Sequence, residues 1–290
     1  MIAVTGATGN VGSILVRTLT EAGAQVIAIS RGERPADLPA GATHRRADIG
    51  NPDDFATAVT GADTLFLLIT GPQLTTGPEP HLLLKSLAAQ GIRRVVFLSS
   101  QGAVTRPGSA GYARTLEFEQ ALTASTLEWT IVRPSGFASN TYAWIEPVRA
   151  GRPITAPFAD VGLPVVDPAD IAAVAATALR EPGHHAHAYT LTGPALVTPR
   201  DQAQALSAAL GHPIPFAEVS RAEAFTNMLR FMPAPVADHT LDILGSPLPA
   251  ELEISPDIEA VLGRPPRSYG EWALHNAAVF SPATASADRV

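Results

Sequence analysis

Val4-Thr5-Gly6-Ala7-Thr8-Gly9-Asn10-Val11-Gly12 is the stretch on which the fold turns. It begins inside a short apolar run, Met1-Ile2-Ala3-Val4-Thr5, of the kind that makes a buried strand. After it, Val11, Ile14, Leu15, Leu19 and Ala22 recur at helical spacing until Gly23 stops the helix. The glycines therefore occupy a strand-to-helix turn with G-x-x-G-x-x-G spacing. In such a turn glycine supplies positive φ, removes the Cβ that would collide with a diphosphate, and lets the helix pack close to the sheet. The free N–H groups of the helix N-terminus then face the anion. A glycine-rich turn without a ligand uses the same letters; the coincidence of strand, turn and amphipathic helix is what separates the two. Gly6, Thr8, Gly9, Asn10, Val11 and Gly12 are accordingly expected to hold the diphosphate of a dinucleotide.

Outward from this turn, strands and helices alternate. Val26 to Ile29 reads as a second strand, Thr43 to Ala47 as a short one, and Thr64 to Ile69 as a wholly apolar one. Helices are expected from Asn51-Pro52 to Val59, from about Glu79 to Gly91 and from about Gly111 to Thr123, with further strands at Val95 to Leu98 and Trp129 to Val132. Parallel neighbours need crossovers, and helices are the usual crossover, so the pattern predicts an α/β protein with a Rossmann-type doubly wound parallel sheet. After Pro134 the sequence becomes richer in Pro and Gly. A helix runs from Pro168 to Leu179 behind Asp167, Tyr189 to Leu191 looks like a strand, and helices follow at Thr198-Pro199 to Gly211, Pro256 to Leu262 and Tyr269 to Phe280. The expected organisation is a dinucleotide-binding domain over 1–136 and a smaller C-terminal α/β lobe over 137–280 that shapes a substrate cleft. The chain is free to cross back to the sheet near 164–195, and a flexible tail is expected over 281–290.

Composition bounds the rest. A chain of 290 residues with 46% hydrophobic and 16% charged residues can bury a large core. No apolar run approaches the roughly 18 to 20 residues that cross a bilayer, and the N-terminus reads as a strand, so a cytoplasmic protein is expected. The absence of cysteine removes disulfides, thiolate nucleophiles and thiolate metal sites. A net charge of -7 without a basic block leaves no footprint for nucleic acid or anionic lipid, so the expected ligand is a small molecule.

Cofactor choice rests on the end of the second strand, about 20 residues beyond the glycines, where an Asp or Glu would accept the ribose 2′-OH of NAD. Ser30-Arg31 stands there instead. A guanidinium pairs with a 2′-phosphate, which favours NADP(H) and leaves NAD(H) open. Glu33 argues the other way, and Arg34 reads as a solvated loop cation. Asp48 suits either the adenine amino group or a capping turn.

These residues, in this order, resemble the NmrA-like family of atypical short-chain dehydrogenases/reductases, which includes NAD(P)H:quinone oxidoreductase-like proteins. The likeness runs from the glycine turn through Ala47-Asp48-Ile49, Gly61-Ala62-Asp63, Val95 to Ser100 and Trp129-Thr130-Ile131-Val132-Arg133-Pro134. It continues in Asp170-Ile171-Ala172, Tyr189-Thr190-Leu191-Thr192-Gly193-Pro194 and Gly263-Arg264-Pro265-Pro266. The resemblance implies that Ile69, Thr70 and Ser99 lie along the nicotinamide half of the cofactor, with Pro134 and Phe137 bordering the ring. Gln101, Asn140 and Tyr142 are expected on the substrate side, where Asn140 and Tyr142 suit a surface loop equally well.

A typical short-chain reductase protonates the new alkoxide with a Tyr, a phenol normally near pKa ~10, made more acidic by a Lys one helical turn later. Here the i+4 neighbour of Tyr112 is Leu116, and Arg114 points to another helix face. Tyr112 and Ser100 remain the catalytic candidates, each with a bland counterpart: a packing or rim aromatic for Tyr112, local backbone satisfaction for the serines. Hydride transfer survives the loss of the dyad, because the nicotinamide carries that step. The acceptor must then delocalise its own charge, which suits a quinone-like or otherwise conjugated, electron-poor molecule. A non-catalytic sensor of the dinucleotide redox state is the alternative, whereas a sugar-nucleotide epimerase would need the missing pair. Gly183-His184-His185-Ala186-His187 lacks the converging partners of a metal site, so no metal is expected. Phe225, Met228, Leu229, Phe231 and Met232 form an apolar stripe that fits core or a subunit contact, leaving a homodimer open. No G-x-S-x-G elbow is present.

Overall fold

The computed structural model describes residues 1–33, 35, 37–230 and 232–281; Arg34, Ala36, Phe231 and residues 282–290, most of the expected tail, lie outside it. The first half runs β1 (Ile2–Thr5), α1 (Gly12–Glu21), β2 (Val26–Ser30), β3 (Ala42–Arg46), α2 (Pro52–Ala58), β4 (Thr64–Leu68), α3 (Pro80–Ala89), β5 (Arg94–Leu98), α4 (Gly102–Thr105), α5 (Ala113–Thr123) and β6 (Glu128–Pro134). The second half adds α6 (Ile145–Arg149), β7 (Ile154–Ala156), α7 (Pro168–Arg180), β8 (His187–Leu191), α8 (Pro199–Leu210), β9 (Phe216–Glu218) and α9 (Arg221–Met228). It ends with α10 (Ala234–Gly245), α11 (Pro249–Leu252), α12 (Asp257–Leu262) and α13 (Tyr269–Phe280).

The chain forms two compact units: residues 1–135, 168–192 and 255–266 make one, and 136–167, 193–254 and 267–290 the other. The return through 255–266 has no counterpart in the boundaries expected from the sequence.

The first unit holds a seven-stranded sheet in the order β3-β2-β1-β4-β5-β6-β8, every pairing parallel. The order reverses between β1 and β4, the switch point at whose strand exits ligands of such sheets bind. All of β1 and β2, and the middle of β4 and β5, are buried, because both faces are covered. On one face Phe55, Leu65, Leu83, Phe97 and Phe118 belong to one core, with Phe97 and Phe118 stacked at 5.7 Å. Elsewhere α7 packs on α1 and on β4, β5 and β6; its run of buried alanines, Ala172, Ala175, Ala176 and Ala178, permits the close approach.

The edge strand β8 is covered from within the same unit. The backbone N–H of Thr190 donates to Asp257 Oδ2 at 2.7 Å, and the hydroxyl of Thr192 accepts from the amide of Ser255 at 3.0 Å. An outward-facing N–H that would otherwise be open to another strand is thereby satisfied.

In the second unit α8 packs on α13. Both helices start from capping boxes, Thr198 with Asp201 and Ser268 with Glu271, and α8 stops at Gly211 in the left-handed region with φ 73°. Tyr142, Tyr269, Trp272 and Phe280 make its aromatic core. Strands β7 and β9 pair in parallel. The apolar stripe near 225–232 does not form one helix: α9 ends at Met228, and α10 begins after Pro233, which cannot continue a hydrogen-bonded turn.

Candidate active site

The glycine turn is built as its letters require. Gly6 has φ 62°, its carbonyl accepts from the amide of Gly9 at 2.9 Å, and Ser13 donates back to Gly9 O at 3.0 Å. A Cβ on Gly12 would come closer than 3.0 Å to the Gly6 carbonyl, so helix and turn meet backbone to backbone. Helix α1 has no side-chain cap and no acidic residue in its first turn. The amides of Val11 and Gly12 find no acceptor among the described residues, and Thr8, Gly9 and Asn10 are exposed. Unpartnered amides at a helix start, with glycine clearing the approach, fit a diphosphate. Beside the turn a cavity of about 330 Å³ is lined by Ala7, Thr8, Ser13, Arg17, Asp37 and Leu38. It flanks the turn on the side of the loop after β2, away from the exits of β4 and β5.

At the exit of β2, Ser30 is buried and hydrogen-bonded to His44 Nε2 at 2.8 Å, so its hydroxyl serves the fold. Glu33 pairs with Arg46 at 3.1 Å, while Arg31 is exposed, has no ion-pair partner among the described residues, and extends to within 3.8 Å of where a Cβ on Gly71 would be. Asp48 takes the capping role: its Oδ1 accepts from Gly50 N at 2.8 Å and from the buried Gln73 Nε2 at 2.7 Å. Its Oδ2 has no partner among the described residues, which leaves one oxygen for a ligand amine. Gln73 was not foreseen, for a glutamine in a loop carries no pattern.

The exits of β4 and β5 are held stiffly. The Thr5 hydroxyl donates to Phe66 O at 3.0 Å and accepts from Leu68 N at 2.8 Å, stitching β1 to β4. Beyond it Ile69 is buried and Thr70 exposed and extended. Beyond β5, Ser99 N donates to Val132 O at 2.8 Å and Gln101 N to Pro134 O at 3.0 Å, so the ladder continues past the last assigned pair. Sequence places Ser99, Ser100 and Gln101 together there, and the structure gives the two serines different protons. Ser99 is buried and its hydroxyl donates to Glu119 Oε1; Glu119 in turn takes Arg133 Nε at 3.0 Å and Nη2 at 2.6 Å. Ser100 Oγ accepts from Gly102 N at 3.2 Å, and its own proton is uncommitted among the described residues.

Tyr112 stands at the N-cap of α5 with its ring against Gly102. Arg114 is occupied elsewhere, bonded to Glu117 and to the carbonyl of Pro78 and lying over the Phe118 ring at 5.3 Å. Lys85, the single lysine of the chain, is exposed on α3. No ammonium therefore approaches Tyr112 from its own helix. The buried Glu119–Arg133 pair could have been suspected from an arginine set inside the apolar strand Ile131-Val132-Arg133-Pro134, but its partner could not.

In the second unit Asn140 is exposed and Phe137 half-buried. Tyr142 is committed: its hydroxyl donates to Asn276 Oδ1 at 2.7 Å and its ring packs on Trp272 at 5.4 Å. Burial, then the Asp167 carboxylate, raises its pKa above that of a free phenol. The histidine run folds into an aromatic cluster at the sheet edge, where His184 Nδ1 meets Tyr189 OH at 2.9 Å and His187 stacks on the same ring. Among the described residues no group of His, Cys, Asp or Glu is arranged to hold a metal, and no helix is long and apolar enough to cross a membrane.

A parallel sheet whose order reverses beside a glycine cradle for a diphosphate defines a dinucleotide-binding protein of the Rossmann class. The family model described as NAD(P)H-binding matches residues 6–182. The chain belongs to that family, within the NmrA-like atypical short-chain dehydrogenases/reductases, and is an NAD(P)H-dependent enzyme of the reductase type. It is 35% identical to a (4-alkanoyl-5-oxo-2,5-dihydrofuran-3-yl)methyl phosphate reductase of Streptomyces griseus over 97% of this chain and 100% of that one. It is 31% identical to an NAD(P)H azoreductase of Xenophilus azovorans over 98% of this chain and 100% of that one. Among solved structures it is similar to an NADPH-dependent quinone oxidoreductase of Escherichia coli complexed with NADPH, with a TM-score of 0.77, 25% identity, and coverage of 95% and 99% of the two chains.

Proposed function

We propose that the protein is an NADPH-dependent reductase of small, conjugated, electron-poor acceptors, quinone-like molecules among them. The observation that carries this reading is the donor set at the exit of β5: one hydroxyl, that of Ser100, has an uncommitted proton, and no lysine stands near it. NADPH, held at the glycine turn by the amides of Val11 and Gly12, would supply the hydride for an unsaturated carbon or nitrogen of the acceptor, and the anion formed would take its proton from water. Ser100 donates a hydrogen bond to the acceptor oxygen as charge develops there. Ser99 cannot, since its proton is held by Glu119, and it offers only lone pairs. A neutral hydroxyl stabilises a localised alkoxide poorly, so the acceptor must spread the charge through its own π system. The names of the relatives accord with this: an oxo-dihydrofuran bearing an alkanoyl group, an azo compound and a quinone all contain conjugated unsaturation.

Arg31 supports NADPH over NADH, because the acidic neighbour that would oppose a 2′-phosphate, Glu33, is engaged by Arg46. NADPH consumption measured against a panel of quinones, azo compounds and simple ketones tests the proposal. Turnover of the conjugated acceptors with the ketones inert is expected. Preferred turnover of ketones would overturn it, and tight dinucleotide binding with no turnover of any acceptor would favour a sensor.

A further inference from the structure

Gly102 lies one residue beyond Ser99-Ser100-Gln101, and nothing about its backbone demands glycine, as it is not among the positive-φ positions. Space demands it. A Cβ on Gly102 would stand closer than 3.0 Å to Cε2 and Cζ of Tyr112 and 2.5 Å from its hydroxyl oxygen, a separation that real side chains do not adopt. The backbone of Tyr112 is fixed on both sides, so a methyl at 102 would have to turn the ring about its own side-chain torsions. Its N–H donates to Ser109 O at 3.0 Å, and its carbonyl takes the first bond of α5 from Leu116 N at 2.9 Å. Gly102 is buried, and its own N–H is the group that holds Ser100 Oγ. One residue thus touches two of the hydroxyl-bearing side chains at this exit: Ser100 through its amide, and Tyr112 through the face where a side chain would be.

We infer that Gly102 is a positioning residue: its missing side chain is the berth that fixes the Tyr112 phenol at the strand exit that carries Ser100, and so sets how a planar acceptor approaches Ser100. This rests on the reductase reading above.

The test is a double-mutant cycle on the full chain with Gly102→Ala, Tyr112→Ala and both together, assayed with a one-ring and a two-ring quinone. Misplacing a reacting partner by about an ångström can cost on the order of a hundredfold. For Gly102→Ala, kcat/KM with the two-ring acceptor is expected to fall about tenfold or more, chiefly through KM, with the one-ring acceptor affected less and NADPH affinity unchanged. In the Tyr112→Ala background, where a methyl group at 102 has room, Gly102→Ala should have no further effect. Fluorotyrosine labelling gives a readout independent of turnover: of the four tyrosine resonances, the one missing in Tyr112→Phe should shift in Gly102→Ala. Additive losses in the cycle, or an unmoved Tyr112 resonance, would overturn the inference. Absence of turnover in the unmodified protein would instead remove the reductase reading, with the resonance shift still deciding the contact.

Discussion

Asp170 and Arg264, 94 residues apart in the chain, meet at 2.6 Å, with the carboxylate fully buried and the guanidinium partly open to water. The contact joins two of the short stretches that carried the family likeness, one opening α7 and the other following α12. Gly263, left-handed at φ 66°, ends α12 and allows Arg264 to turn toward α7.

Arg264→Met is therefore expected to take the guanidinium from a buried carboxylate and to cost about 3 kcal/mol, since removing one partner of a buried pair is strongly destabilising. A urea denaturation midpoint measures it. A midpoint unchanged from that of the parent protein would show that the segment 255–266 is held by other contacts.

Gly12→Ala should be far more damaging than Gly9→Ala. The first places a methyl against backbone that cannot yield, whereas at Gly9 the nearest atom, Gly6 O, would be 3.3 Å away. Overpacking of about 3 kcal/mol and loss of NADPH binding are expected for Gly12→Ala, and weakened but measurable binding for Gly9→Ala. Calorimetric titration with NADPH distinguishes them, and equal losses would contradict the geometry.

Arg31→Ala is expected to weaken NADPH roughly tenfold to a hundredfold, the worth of one or two charge-assisted hydrogen bonds, and NADH about twofold at most. Glu33→Gln should change neither much, because that carboxylate is already turned to Arg46 in an exposed pair. Equal loss of both coenzymes in Arg31→Ala would reject the role given to this guanidinium.

His184 supplies a pH dependence. Its pKa is lowered from 6.5, first by burial, with His187 and Arg94 adding to the effect and Glu181 opposing it. The folded chain therefore binds this proton less readily than the unfolded chain, so stability is complete above about pH 6.5 and declines as pH falls toward the folded value. Between pH 7.5 and 5.5 the urea midpoint should drop, and His184→Gln should make the drop shallower. Parallel declines in the two proteins would remove His184 as a contributor.

The fold was legible wherever local chemistry and periodicity agreed. Strand, glycine turn and helix at the N-terminus, Thr198-Pro199 at the start of α8, and Gly211 after it are signals that need no partner elsewhere in the chain. Strands β7 and β9, three residues each, are too short to show a period, and α10 was hidden behind a stripe broken by Pro233. Most of the cofactor turn could be read for the same local reason. The remainder of the candidate site could not, because its determinants are tertiary: the bond from Ser99 to Glu119, the berth of Tyr112 on Gly102 and the hold of Gln73 on Asp48 join residues whose spacing follows no rule. Sequence could not tell which of the two serines keeps an uncommitted proton, and only the position of a buried carboxylate decides it.

The path of the polypeptide between its two compact bodies has a genetic corollary. It leaves one for the other after residues 135, 167, 192, 254 and 266, so no single cut through the gene releases either body whole. A fragment stopping near 135 would surrender β8, α7 and α12, baring the flank of β6. Exchange of either body between relatives by a single recombination is consequently closed to this architecture.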